Sequence, residues 1–486
     1  MRTRAEHAPV VGTGVIARTA VTYQPMDILL LVVDSLRADS LCATSADRPN
    51  TPFLRALCRR TLNFCRAYAA ECWTLPSHCS MFTGLLPSEH GAHFQTMGYF
   101  KAAPTIAELF RDAGYHTEIV TRNFVFDNTF PGITRGFQQN TRLLSTFGTW
   151  HPFALLLALT KPRNRRILRS AGFFHPRQHA SREFLNTFTR TLMPADHLSL
   201  EHVLARMQRL RKDGKQSFIF CNLYDVHWPY PPTDQSVLRP WSSATGIAEN
   251  LFLLPFVLPR VASHGYLRAR FRLSQRSRKR LRARYHRAIE LMDQKLAAFC
   301  AAATAAGLLD DTLLIVTSDH GEASGEHGLY LHDASVYNTH LHVPLWVQHP
   351  DRTPEVIHDV VTTRDLFGLM QAAAVGPGVS GTILDAGYRA AHPLAVAEHF
   401  HYPHVRDALP RYRLDLTAAI GRMDKVIVRG GGVEHYAVSD DPGELTPTGA
   451  DLRDFEARMH MDGVPASVQS QLVSHLRRWQ GSLGAS

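Results

Sequence analysis

After Asp27 the chain runs ILLLVV without a polar interruption and then turns polar at Asp34. Six consecutive apolar, mostly β-forming residues suit a parallel strand buried on both faces, and little else of that length. The same grammar recurs in TEIVT (117–121), SFIFCNLYD (217–225) and DTLLIVTSDHG (311–321), each an apolar run that ends in polar residues. Between these runs, TIAELFRDAG (105–114) and YHRAIELMDQKLAAFCAAATAAG (285–307) place apolar residues at i, i+3 and i+4 and stop at Gly. Those are the marks of amphipathic helices. Alternating strand and helix predicts an α/β fold built on a large, mostly parallel, doubly wound sheet. Ligands of such sheets bind beyond the carboxyl ends of the strands, where Asp34, Asp319 and His320 fall.

The pattern changes after about residue 375. KVIVRGGGVEHYAVSDDPGE (425–444) reads as a hairpin and VQSQLVSHLRRW (468–479) as a helix, so a smaller C-terminal α+β unit is expected over 376–486. The main domain then covers 25–375 behind a tail of residues 1–24. Within it, 145–275 is less regular, with FALLLAL (153–159) and LFLLPFVLP (251–259) as apolar patches in basic surroundings. Such an insertion suits a substrate lid or plain packing on the core.

No apolar run approaches the ~18 to 20 residues of a membrane span. The first 25 residues carry Arg2, Arg4 and Arg18 but no signal-peptide core. The seven cysteines (42, 58, 65, 72, 79, 221, 300) are odd in number and form no C-x-x-C pair, so a cytoplasmic protein with free thiols is expected. The formal charge of +10 is concentrated in Lys161–Arg169 and in Arg260–Arg287. One reading is attraction of an anionic substrate, a nucleic acid or a lipid headgroup. The other, favoured reading is a solvated basic helix face.

Four segments hold residues suited to chemistry. In ECWTLPSHCSMFTG (71–84), Pro76 suits a first helical turn, and Gly84 followed by Pro87 suits a stop, which predicts a helix over 76–83 with Thr74 at its N-terminus. Free N–H groups and the helix dipole favour an anion there, or an alkoxide on Thr74; the alternative is that Thr74 caps the helix. Asp319 and His320, with Asp34, offer two carboxylates and an imidazole to one divalent cation. His227 in NLYDVHWPYPP and His332 in GLYLHDASVYNTHLHVPLWV follow apolar runs.

Taken together, LLVVDSLRADSL, WTLPSHCSMFTGLLPSEHG, NLYDVHWPYPP, GLLDDTLLIVTSDHGEASGEHG and VYNTHLHVPLWV resemble, in order, the motifs of the sulfatase family of the alkaline phosphatase superfamily. The resemblance implies a mixed central sheet flanked by helices, with a small C-terminal domain. It places Thr74 at the nucleophile position, two residues before Pro76, where the family has Cys or Ser. Sulfatases convert that residue to formylglycine; Thr74 cannot be so converted, and none is expected. The family's Arg four residues on is His78, and its Asp-Asp pair is Asp34-Ser35. The set Asp34, Thr74, Asp319 and His320 looks more like the single-metal sites of phosphonate monoester hydrolases and phosphoethanolamine transferases. By the same resemblance, His227 and His332 contact the transferred group or protonate the leaving oxygen.

Two carboxylates and an imidazole favour Mn²⁺ or Zn²⁺, with Ca²⁺ the alternative. The expectation is a metal-dependent hydrolase of small anionic esters, phosphate diesters or phosphonate monoesters ahead of sulfate esters. The rivals are a sulfuric ester hydrolase, a soluble phosphoryl-type transferase and an inactive binding homologue.

Overall fold

The computed structural model describes residues 26–41, 48–126, 130–143, 196–228, 230, 274–332, 334–375, 381–401, 414–430, 432–449, 451–461 and 464–482. The tail (1–24), both apolar patches, the Lys161–Arg169 run, Arg268 to Arg272 and Cys42 lie outside the described residues.

The main sheet is built from β1 (Asp27–Val33), β2 (Leu62–Tyr68), β3 (His116–Thr121), β4 (Gln139–Arg142), β5 (Ser217–Leu223) and β6 (Thr312–Thr317). A two-stranded pair, β7 (Ala323–Ser324) and β8 (Tyr330–Leu331), follows β6. The main sheet is completed by β9 (His342–Val343), β10 (Leu345–Gln348) and β11 (Glu355–Thr362). Its order is β11-β2-β10-β6-β1-β5-β3-β4, with β9 paired to β2. All pairings are parallel except those made by β9 and β10. The sheet is therefore mixed and dominated by parallel strands.

β1 lies at its centre, between β5 and β6. Successive strand side chains point to opposite faces. Ile28, Leu30 and Val32 accordingly enter one core, while Leu29, Leu31 and Val33 enter the other. An uninterrupted apolar run is what burial on both faces requires. The first face is covered by helices Thr74–Thr83, Ile106–Asp112 and Leu366–Val375, through residues such as Leu75, Phe82, Ile106, Phe110 and Leu369. The second is covered by Pro52–Arg60, Asp196–Lys212 and Gln275–Ala305, through Leu54, Val203, Met207, Ile289 and Leu296.

Two helices differ from expectation. Asp196–Lys212 falls in the stretch read as irregular, although Leu200, Val203, Met207 and Leu210 carry a helical period and are buried. Gln275–Ala305 begins ten residues before the apolar pattern, because its first turns are a basic face in which Arg276, Arg278, Lys279, Arg280 and Arg282 are exposed. Arg284, on the same run, is buried and donates to the Tyr230 carbonyl at 2.5 Å. Among the described residues no helix is long and apolar enough to cross a membrane.

The C-terminal region forms an antiparallel sheet of β12 (Ala395–His399), β13 (Leu416–Ile420), β14 (Lys425–Arg429) and β15 (Gly432–Tyr436). One face packs Ala419, Val426 and Val428 against Phe455, Leu472, Leu476 and Trp479 of the last two helices. The other face lends Ala395, Ala397, Leu416 and Ile427 to the main core. The smaller sheet is thus welded to the larger one.

Candidate active site

The strand tips converge as the sequence suggests. β1 delivers Asp34, and the neighbouring β6, in register Val32 to Thr317, delivers Asp319 and His320. All three are fully buried, and their ligand atoms lie within 4.8 Å of one another. His320 Nε2 is 3.8 Å from Asp34 Oδ1 and 3.4 Å from Asp319 Oδ2. Its Nδ1–H donates to the Gly321 carbonyl at 3.0 Å, which leaves the Nε2 lone pair facing the carboxylates.

Backbone geometry holds both aspartates. Ser35 adopts φ 64°, a left-handed conformation unusual for a non-glycine residue. In that turn its N–H donates to Asp319 Oδ1 at 3.2 Å, its hydroxyl to Asp34 Oδ1 at 3.0 Å, and its carbonyl accepts from the Tyr285 hydroxyl at 2.8 Å. The second Asp34 oxygen accepts from Asn123 Nδ2 at 3.0 Å. Asn123 was absent from the sequence reading, although it follows β3 as Asp34 follows β1.

The electrostatics of this cluster favour a cation. Burial pushes the Asp34 and Asp319 carboxyls up to about 7, and their mutual repulsion adds to the shift on Asp34. Burial likewise pulls His320 down to about 4, so the imidazole is neutral. Asp319 Oδ2 is buried and accepts no hydrogen bond. Two carboxylates, one of them with an orphaned oxygen, and one neutral imidazole fit a divalent metal ion.

Thr74 opens helix Thr74–Thr83 two residues earlier than Pro76 suggested. The N-cap is Trp73, in an extended conformation and without a side-chain cap bond, so Thr74 does not serve as the cap. Its hydroxyl instead lies 3.4 Å from His320 Nε2. Ser77 anchors the same turn by donating to the Asp319 carbonyl at 2.7 Å.

His78, one turn along, is buried among the rings of Phe82, Phe126 and Phe220. Its Nδ1–H donates to the Thr74 carbonyl at 2.7 Å, and Nδ1 stands 3.7 Å from Asp319 Oδ2. Burial lowers its pKa to about 3, so it brings no positive charge to the site.

The two remaining histidines close one side. The His332 ring stacks on His320 at 4.5 Å and meets His227 edge-on at 4.8 Å. His227 donates from Nδ1 to the Trp228 carbonyl at 2.5 Å, and desolvation, reinforced by His332, lowers its pKa well below the usual value. Its loop is tied down by Asp225, which accepts from the buried Arg122 at 2.8 Å and from Lys295.

Known proteins match on the same elements. The Sulfatase family model matches residues 26–375. Human iduronate 2-sulfatase is 24% identical over 351 residues, 68% of this chain and 61% of that protein. The choline-sulfatase of Rhizobium meliloti is 24% identical over 344 residues, 68% of this chain and 63% of that protein. The chain thus spans less than two thirds of the length of these relatives. Among solved structures, the phosphonate monoester hydrolase of Silicibacter pomeroyi superposes with a TM-score of 0.59 at 18% identity, over 93% of this chain and 95% of that one. A putative sulfatase of Bacteroides thetaiotaomicron gives a TM-score of 0.60 at 15% identity, over 94% and 93% of the two chains. With the family model spanning both sides of the convergent strand tips, the chain belongs to the sulfatase family.

Proposed function

We propose that the protein hydrolyses anionic phosphorus esters, diesters or phosphonate monoesters ahead of sulfate esters, with Thr74 as a covalent nucleophile. The observation that carries this reading is the Thr74 hydroxyl, unused in capping and 3.4 Å from His320 Nε2, beside a buried carboxylate oxygen with no partner. Asp34, Asp319 and His320 hold one divalent cation, and such a cation lowers the pKa of a hydroxyl and offsets charge on transferred oxygens.

The Thr74 oxygen attacks phosphorus, a bond from phosphorus to Thr74 forms, and the bond to the leaving oxygen breaks. The proton given up by the Thr74 hydroxyl passes through solvent to the leaving oxygen, and water then cleaves the bond from phosphorus to Thr74, one of its hydrogens restoring the hydroxyl and its oxygen staying on phosphorus. His227 and His332 line the side from which the transferred group is held; His227, neutral at rest, offers Nε2 as an acceptor. The positive end of the dipole of helix Thr74–Thr83 favours the anionic group.

Phosphorus is preferred because of the second half of the cycle. A sulfated formylglycine expels sulfate by collapsing to its aldehyde, whereas a sulfated threonine has no geminal hydroxyl and offers no such route. Neutral His78 leaves the site with little positive charge, which suits singly charged diesters better than dianionic monoesters. Phosphonate monoester hydrolases from Silicibacter pomeroyi and Agrobacterium radiobacter are among the structural neighbours, which supports the reading. The sequence relatives, sulfatases by name, support the second reading, a sulfuric ester hydrolase.

The test is kcat/KM on an aryl sulfate, a phosphate monoester, a phosphate diester and a phosphonate monoester, together with mass spectrometry of Thr74 after quenching. A phosphorylated Thr74 and a leading diester or phosphonate are expected. An aryl sulfate preferred over every phosphorus ester, with Thr74 unmodified, would overturn the proposal.

A further inference from the structure

A second cluster of donors lies just upstream of Thr74, and it takes no part in the site described above. Glu71 and Cys72 follow β2, and His399 ends β12, so the three meet where the C-terminal sheet joins the main one. The junction is zipped by the backbone, with the Glu398 N–H donating to the Ala70 carbonyl at 2.9 Å. All three side chains are buried. One ligand atom from each lies within 4.8 Å of the others.

The contacts converge on a single nitrogen. His399 Nδ1 is 2.9 Å from Glu71 Oε1 and 3.7 Å from Cys72 Sγ. In a nucleophile–imidazole–carboxylate relay the thiol and the carboxylate use opposite ring nitrogens. Here both face Nδ1, so the imidazole cannot pass a proton between them in that manner. Either tautomer of His399 satisfies only one of the two contacts. A cation placed among the three atoms satisfies both.

The carboxylate carries a further mark. Glu71 Oε1 already accepts from the Cys72 N–H at 2.8 Å, while Glu71 Oε2 is buried with no hydrogen-bond partner. Among the described residues, no Lys or Arg forms an ion pair with Glu71, which pairs with His399. A buried carboxylate oxygen with no hydrogen-bond partner is costly, and a bound cation removes that cost.

We propose that Glu71, Cys72 and His399 form a second metal site, suited to Zn²⁺. Sulfur, imidazole nitrogen and carboxylate oxygen are the donors zinc takes, and they supply three of its four tetrahedral positions. With bonds of about 2.0 to 2.3 Å, tetrahedral zinc sets its ligand atoms roughly 3.3 to 3.7 Å apart; the Cys72–His399 pair at 3.7 Å already meets that spacing, and the His399–Glu71 pair at 2.9 Å needs to open by only about 0.5 Å. The charges balance. The Cys72 thiol loses its proton to solvent on binding, and thiolate plus carboxylate neutralise the divalent ion beside a neutral imidazole. The metal pins the end of β12 to the segment that carries Thr74, and the assignment stands whether or not Thr74 is the nucleophile.

The experiment uses the full-length chain, purified with zinc supplied, in an Asp34→Asn/His320→Ala background that disables the first cluster. Elemental analysis should find about one zinc per chain in this background, and Cys72→Ser or His399→Ala added to it should remove that zinc. Cobalt loaded into the unsubstituted protein should give a near-ultraviolet thiolate-to-cobalt band, which Cys72→Ser abolishes. The cobalt reading needs no substitution at the first cluster and so remains decisive if the double variant fails to fold. Absence of the thiolate band, or a zinc-free protein in the disabled background, would overturn the proposal without touching the proposed chemistry at Thr74.

Discussion

Replacing one of the two buried aspartates should stabilise the metal-free protein, most at neutral to alkaline pH. Burial sets Asp319 at about 7 against an ordinary 3.8. A carboxyl raised in the folded state binds more protons folded than unfolded, so its stabilising protonation is fully present below pH 3.8, fades as pH rises and is gone above about 7. Three units correspond to about 4 kcal/mol of penalty at pH 8 and under about 2 kcal/mol at pH 5. Asp319→Asn removes that penalty and also relieves the repulsion on Asp34. The asparagine carbonyl can still accept from the N–H groups of Ser35 and His320, which now donate to Oδ1 at 3.2 and 3.0 Å. The neutral histidines His78 and His320 titrate in both proteins and cancel to first order. Thermal unfolding with chelator should therefore place Asp319→Asn roughly 5 °C above the parent at pH 8, with less than half that gap at pH 5. Added Mn²⁺ or Zn²⁺ should reverse the order at pH 8, because the parent keeps the complete donor set. Parallel pH dependences with chelator, or no reversal with metal, would refute this account of the cluster.

Asn123→Ala should weaken metal binding about 10- to 100-fold, because it deletes the amide that orients Asp34; competition with a chromogenic chelator measures it, and unchanged affinity would remove Asn123 from that role. His227→Ala and His332→Ala should each lower kcat by about 10²-fold or more, least on nitrophenyl esters if the ring protonates the leaving oxygen. Equal losses on good and poor leaving groups would assign charge stabilisation instead. Gly136→Ala should destabilise the fold by at least about 2 kcal/mol in chemical denaturation, since φ is 89° and a Cβ would stand 2.1 Å from the Glu108 nitrogen. A wild-type midpoint would contradict that packing.

The local grammar of this chain was legible without coordinates. Apolar runs at β1, β5 and β6 announced doubly buried parallel strands, because such strands need apolar residues on both faces; their polar ends announced Asp34, Asp319 and His320. The helix at Pro76 and the C-terminal hairpin were equally visible, since period and turn chemistry act between near neighbours. Helix Asp196–Lys212 was missed only because basic residues obscured its period. Other features had no local signal at all. Asn123 meets Asp34 across 89 residues, and His399 meets Cys72 across 327. Ser35 takes a left-handed turn that nothing in its composition requires, and Thr74 leaves the capping role its residue type favours. Strand order and the seam between the two sheets decide those encounters, because they follow from which buried faces pack together rather than from the periodicity of any one segment.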